Sequence, residues 1–429
     1  MTELLTPARL PKADTSSCDT LASETAVVDT VTHRKIGIAA RHPLRVREDM
    51  TGRPLRIAIV ASSYNYISDG VALTLNRLVD YLERQGVDVR IFTPVSKTVA
   101  FAAHGTIIPV PSIPLPGRNE YRLAFALPHS EIKAFAPDLI HIALAPDPLG
   151  YTTLRVACKL GIPLVASYHT RYETYLKHYW YVAPFETLLK RYLSAYYANC
   201  REVYVPSQSM IDILHADGQK GKLVLWRRGV DPVQFNSEHR SMQWRAHYGI
   251  GPEETIVLLV SRLVREKQLA TFSATLQELS AAGVPYRAVI VGDGPERNDL
   301  ERALPQAVFT GFLRGAALST AYASSDIFFF PSETETFGNV TLEAMASGLT
   351  CVCADASGSS SLVLNGVTGF LACPGDAADF ASRVTQLIRD PALRADMAAA
   401  ARARALTFSW DETMSNMLDH YKALVRNTP

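Results

Sequence analysis

The chain has 429 residues, long for one core and comfortable for two domains of ordinary size. Hydrophobic residues make up 48% and charged residues 20%, which marks a globular chain and excludes a disordered one. With 43 basic against 42 acidic side chains there is no global pull towards nucleic acid, and no nucleic-acid partner is expected.

Residues 1–54 mix polar residues and proline without periodicity and read as a flexible extension. Their start lacks the continuous apolar core of a signal peptide. No apolar run in the chain reaches the ~18–20 residues that span a bilayer. A cytoplasmic protein is expected, meeting a membrane only from its inner surface. The six cysteines, at 18, 158, 200, 351, 353 and 373, show no zinc-ligand spacing, so no metal site is expected and they read as small buried hydrophobes.

Regular structure begins at Leu55–Ala61, a short apolar run of the kind found in buried parallel strands. A turn over 62–70 leads into a helical pattern over 71–85, closed by Gly86. A strand over 87–92 completes a βαβ unit. The alternation continues with strands at 139–143, 163–167 and 202–205 and a helix at 149–160. A second series of strands is expected at 255–260, 286–291, 327–330, 350–354 and 369–371. The pattern breaks near 232–252. The expected layout is therefore α/β: two doubly wound, Rossmann-like domains facing a cleft. The first covers 55–235, together with a helix from 408–429, and the second covers 236–407. Residues 410–425 have the apolar stripe of an amphipathic helix that needs a surface to cover.

The richest segment runs from Pro331 to Gly348. It follows a strand and opens a helix near Phe337 or Gly338, where free backbone N–H groups of Phe337, Gly338, Asn339 and Val340 suit a phosphate. Glu335 precedes this anion site. Glu343 shares a helix face with Asn339, so the two carboxylates can accept hydrogen bonds from sugar hydroxyls on either side of a diphosphate. Arg262 and Lys267 follow the first strand of the second domain, at the edge where open α/β sheets bind ligands. Their charge can hold a diphosphate and offset its development as a leaving group. Gly292-Asp293-Gly294-Pro295 is a strand-to-helix turn found in many Rossmann-like domains, with Gly292 as a weaker donor-site candidate. Arg227-Arg228-Gly229-Val230-Asp231 lies at the change-over and reads as an interdomain Arg–Asp pair. In the first domain, Tyr168 and His169 end a strand on the cleft edge, and Asp69-Gly70 leads into a helix start.

Together these segments resemble the retaining family-4 glycosyltransferases of GT-B fold, from about Leu55 to Leu424. The pattern of Glu335 and Glu343 eight positions apart, the pair Arg262 and Lys267, the run Leu223–Asp231 and the strand end Ser167–Thr170 carry the resemblance. Within the family they are similar to sulfoquinovosyl-diacylglycerol synthase and to bacterial mannosyl- and glycolipid glycosyltransferases. The resemblance implies metal-independent transfer with retention, without a cofactor, from a UDP- or GDP-linked sugar. It implies Glu335 on the donor sugar, Glu343 on the ribose, and Arg262 and Lys267 on the diphosphate, flanked by Gly70. It places His169 near the transferred sugar, Asp69 and Tyr168 on the acceptor side, and the last helix across the first domain. Three positions depart from the family pattern: Ser261, Gln268 and the serine-rich turn 356–361.

Residues 171–197 mix tyrosines, Trp180 and basic residues, a composition suited to an anionic membrane interface. A lipid acceptor is the resulting expectation: diacylglycerol, ceramide or a polyprenol-linked sugar. A nucleotide-sugar epimerase and a non-catalytic nucleotide-sugar sensor are the competing readings of the same fold.

Overall fold

The computed structural model describes residues 53–67, 69–115, 118–143, 147–169 and 186–427. Two parallel sheets organise them. The first holds β1 (Arg56–Ala61), β2 (Asp88–Thr93), β3 (Thr106–Pro109), β6 (Leu139–Ala143), β7 (Leu164–Ser167), β8 (Val203–Val205) and β9 (Leu223–Leu225), in the order β3-β2-β1-β6-β7-β8-β9. A separate hairpin joins β4 (Ser112–Leu115) to β5 (Arg118–Ala124). The second sheet holds β10 (Ile256–Val260), β11 (Arg287–Val291), β12 (Val308–Gly311), β13 (Ile327–Phe330), β14 (Thr350–Ala354) and β15 (Gly369–Ala372), ordered β12-β11-β10-β13-β14-β15.

The central strands are covered by helices on both faces, so their sequences are apolar throughout. Ile-Val-Leu-Leu-Val in β10 and Ile-Phe-Phe-Phe in β13 are buried at every position. These strands are the ones the sequence pattern anticipates. β3, β4, β5, β9 and β12 escape it. β3, β4, β9 and β12 are three or four residues long and none of their side chains is fully buried, while β5 runs for seven residues but is rich in polar ones, so no continuous apolar run marks any of them.

In each sheet the winding reverses beside the first strand of its series, between β1 and β6 and between β10 and β13. Chains leaving neighbouring strands on opposite sides of that point open a crevice at the strand C-terminal ends. The helix Trp410–Arg426 returns to the first lobe, where Met414, Met417, Leu418 and Tyr421 join one core cluster with Ile57, Ile59 and Leu78. Gly229 makes room for this return, because a Cβ there would lie 2.4 Å from the Trp410 nitrogen.

Candidate active site

Arg262 and Lys267 leave β10, and Glu335 leaves β13, so the two sides of the second switch point supply them. Lys267 Nζ forms an ion pair with Glu335 Oε1, and Ser332 Oγ donates to the same oxygen at 3.2 Å. Arg262 is exposed, and its charge reaches Asp69 of the first lobe. The structure thus brings Lys267 and Glu335 together and sets Arg262 against Asp69.

The Glu335 loop is braced from below by the serine-rich turn. Ser357 Oγ donates to the Glu335 carbonyl at 2.7 Å, and a Cβ on Gly358 would lie 2.5 Å from Glu335 Cβ. These serines support the backbone beneath Glu335, a role the sequence pattern does not reveal.

The helix Asn339–Ala346 starts at Gly338, whose φ of 95° is the left-handed conformation that favours glycine. No side chain caps it, so its first N–H groups stay available to an anion. Phe337 turns its ring into the core against Phe408, leaving its backbone in the loop. Val340 contributes its carbonyl to Tyr322 Oη at 3.3 Å.

Opposite, the helix Gly70–Arg84 also starts on a glycine. A Cβ on Gly70 would approach Asn339 Nδ2 to 3.1 Å, so two helix starts from different lobes face each other closely. Both present the positive end of a helix dipole. Asp69 caps the first of them: its Oδ1 accepts from Val71 and Ala72 N–H at 3.0 and 2.8 Å. Burial raises the Asp69 pKa against these hydrogen bonds and the pull of Arg262. Its observed work is capping.

Glu343 accepts a hydrogen bond from Tyr322 Oη at 3.1 Å. Burial lifts its pKa to about 7, opposed by that bond and by the Arg77 guanidinium of the first lobe. Arg77 also stacks over the Trp410 ring at 4.9 Å, beside a cavity of about 360 Å³ lined by Asp231, Phe408 and Ser409. Arg77 went unnoticed in the sequence, although its position seven residues after Gly70 puts it on the same helix face.

Gly292 serves the fold. Its φ is 135°, and a Cβ would sit 1.8 Å from the Ser261 carbonyl oxygen, so only glycine lets the β11 exit pack against the β10 exit. Tyr168 is buried in the first lobe's core, edge-on to Tyr197. The expected Arg–Asp pair at the change-over is not formed: Asp231 Oδ1 accepts from Val233 and Gln234 N–H, while Arg228 turns to His169.

His169 has both ring nitrogens engaged. Arg228 Nη2 lies 2.9 Å from Nδ1, and Ser167 Oγ lies 2.7 Å from Nε2. Burial, then the charge of Arg228, holds its pKa well below the ordinary histidine value, so the ring is neutral. Its carbonyl accepts from Thr336 Oγ1 at 2.9 Å, beside Glu335. A neutral, fully bonded imidazole is a positioning group here, with no nitrogen left for proton transfer to a substrate.

Two family models match the chain: glycosyltransferase family 4 over residues 68–234, and glycosyl transferases group 1 over residues 241–404. The sulfoquinovosyl transferase SQD2 of Arabidopsis thaliana is 35% identical over 374 residues, covering 83% of this chain and 71% of that protein. The chain belongs to glycosyltransferase family 4. A GDP-mannose-dependent alpha-mannosyltransferase of Corynebacterium glutamicum is 31% identical over 379 residues, 87% of this chain and 90% of that protein.

Solved structures agree on the architecture. A sucrose-phosphate synthase from Thermosynechococcus elongatus superposes with a TM-score of 0.69 at 21% identity, over 86% of this chain and 99% of that one. Anabaena HepE, solved with UDP and glucose, gives 0.65 at 19%, over 86% and 99%. This family-4 glycosyltransferase has the GT-B fold, two parallel-sheet α/β lobes with a returning C-terminal helix.

Proposed function

We propose that this glycosyltransferase moves a hexosyl or hexuronosyl unit from a nucleotide sugar to a hydroxyl of a membrane lipid, with retention and without a metal. The convergence of Arg262, Lys267 and Glu335 on two uncapped or glycine-led helix starts carries the reading. Cations and helix dipoles of this kind stabilise a departing diphosphate. Glu335 would then exchange its Lys267 contact for the donor sugar's hydroxyls, and Glu343 would accept from the ribose. The pyrophosphate would sit between Gly70, Arg262, Lys267 and the backbone of Phe337–Val340.

Retention is supported by what His169 lacks. With no free base at that strand end, the donor phosphate is the available acceptor for the incoming hydroxyl's proton, and it acts on the face it leaves. The names of the Arabidopsis and Corynebacterium relatives bring a sulfoquinovosyl and a GDP-mannosyl donor into range, and the Anabaena complex brings UDP. A thermal-shift screen of UDP-, GDP- and ADP-sugars tests the donor, since a ligand stabilises the state it binds. No stabilisation by any of them would overturn the reading.

The lipid half rests on residues 171–197. Residues 171–185, with Trp180, lie outside the described residues. In the described helix Glu186–Tyr197, Leu188 and Tyr192 are exposed while Tyr196 and Tyr197 join the core. Lys190 pairs with Asp217 at 2.9 Å. No described helix is long and apolar enough to cross a membrane, and peripheral binding at the inner leaflet is the proposed mode. Flotation on anionic vesicles should fall for Trp180→Ser combined with Arg191→Glu. Unchanged flotation would remove this segment as the anchor.

A further inference from the structure

Arg228 is 5% exposed, yet among the described residues its partners include no carboxylate. It donates to the Trp226 carbonyl at 3.3 Å, stacks over the Trp226 ring at 4.3 Å, and reaches His169. A buried cation held by a π face, a carbonyl and an imidazole is costly unless that arrangement has a use.

The hydrogen bonds around it can be followed atom by atom. A guanidinium has donors and no acceptor, so His169 Nδ1 must accept from Arg228. The ring is neutral, so its proton sits on Nε2 and is donated to Ser167 Oγ at 2.7 Å. Ser167 then gives its own hydrogen to its other neighbour, His141 Nε2, at 2.9 Å. His141 is fully buried and neutral, its pKa pressed down to about 3 by burial and then by Arg228, so its proton is on Nδ1. That proton is donated to Tyr421 Oη at 2.5 Å, on the returning helix Trp410–Arg426. The charge on Arg228 fixes the direction at His169, and the direction at His141 follows from Ser167 giving its one hydrogen to His141 Nε2, the acceptor recorded for it among the described residues.

We propose that Arg228 is a positioning residue for the transfer site: through Ser167 it sets the tautomers of both His169 and His141 and ties the C-terminal helix to the Glu335 loop. The last link is the His169 carbonyl, which takes the Thr336 hydroxyl across the cleft. Ser207 Oγ of the first lobe donates to the Thr336 carbonyl at 2.8 Å, so the residue after Glu335 is held at both ends. Loss of the relay leaves the cations in place and loosens the register between the lobes. The kinetic part of this inference rests on the proposed transferase activity; the tautomers do not.

The test uses the full chain labelled with ¹⁵N-histidine, with signals assigned through His141→Gln and His169→Gln. Two-bond ¹H–¹⁵N spectra should show His169 as the Nε2–H tautomer and His141 as the Nδ1–H tautomer. In Arg228→Met the constraint is gone, and both rings should shift together towards the opposite tautomers. A His169 that is Nδ1–H or cationic in the wild type overturns the proposal, as does a His141 signal unmoved by Arg228→Met. Should Arg228→Met fail to fold, Ser167→Ala serves: His169 keeps its tautomer while His141, freed, shows both, and an unchanged His141 overturns the relay. In steady state, Arg228→Met should lower kcat about tenfold with the nucleotide-sugar KM within about twofold, and Arg228→Lys should recover part of the loss. An equal loss in Arg228→Lys and Arg228→Met with normal spectra removes the positioning role. A wild type that turns over no nucleotide sugar sinks the functional reading while the spectra still judge the relay.

Discussion

The two lobes use the same strand-edge geometry for opposite kinds of chemistry. On the second lobe, Arg262, Lys267 and Glu335 stand at the crevice as partly solvated charges, Lys267 and Glu335 paired with each other and Arg262 exposed and facing Asp69. On the first, His169 ends a strand whose polar atoms are spent on a buried chain reaching 280 residues along the sequence, from His141 to Tyr421. A site that binds a charged leaving group needs movable charges. A strand end whose polar atoms are already spent on one another holds its own backbone in register instead. The difference teaches that a side chain at a strand edge is not thereby a reacting group; its remaining hydrogen-bond capacity decides.

The contrast is broken most directly at its charged end. Lys267→Ala and Glu335→Ala should each lower turnover at least ~100-fold, the scale of losing a key charge contact in a transition state. Near-normal rates in both would show that the second lobe's charges are as structural as the first lobe's histidines. Next in size is a pure packing effect. Gly292→Ala forces a Cβ against the Ser261 carbonyl at a φ of 135° and should cost on the order of 3 kcal/mol in urea unfolding, with nucleotide protection lost in proportion. A stable variant that merely loses donor affinity would return Gly292 to the donor site.

Glu343 sharpens the comparison by pH. Its pKa stands near 7 in the fold against an ordinary value of 4.5, because burial disfavours the charged form. Between these values the folded chain holds a proton that the unfolded chain has released. Stability therefore falls as pH rises through that window, and the loss is complete above it. Glu343→Gln should raise the melting temperature by about 2–4 °C at pH 8.5 and leave it nearly unchanged at pH 4. An equal shift at both values would show that the carboxylate is better solvated than its surroundings suggest. The smallest effect belongs to the hydroxyls joining the lobes. Ser209 Oγ lies 2.7 Å from Ser361 Oγ, and Ser209→Ala should cost about 1 kcal/mol, read as a slightly easier thermal unfolding. No change would mean that water replaces the contact at no cost.

Of the charged candidates, Lys267 and Glu335 are the two the structure joins, and their placement after two apolar strands on either side of a switch point anticipates the meeting. Gly292 and Asp69 were harder. A glycine in a turn and an aspartate before a helix serve backbone geometry as readily as a ligand, and here they pack on Ser261 and cap Val71 and Ala72. Arg77, Tyr322 and Ser357 could not be assigned from local pattern, since each acts on a partner at least 21 residues away: Tyr322 on Glu343, Ser357 on the Glu335 carbonyl, and Arg77 on Glu343 of the other lobe.

By itself the sequence determined the alternation of apolar runs and amphipathic helices, and hence two doubly wound lobes. It also determined which charged residues follow strands β10 and β13. That much depends on local periodicity, which any stretch of chain carries within itself. Only the tertiary structure decided which polar groups still have bonds to give. His169 is surrounded by Arg228, Ser167 and Thr336, drawn from three distant segments, and its neutrality comes from burial that no local pattern records. Hydrogen-bond saturation and desolvation are properties of the assembled core.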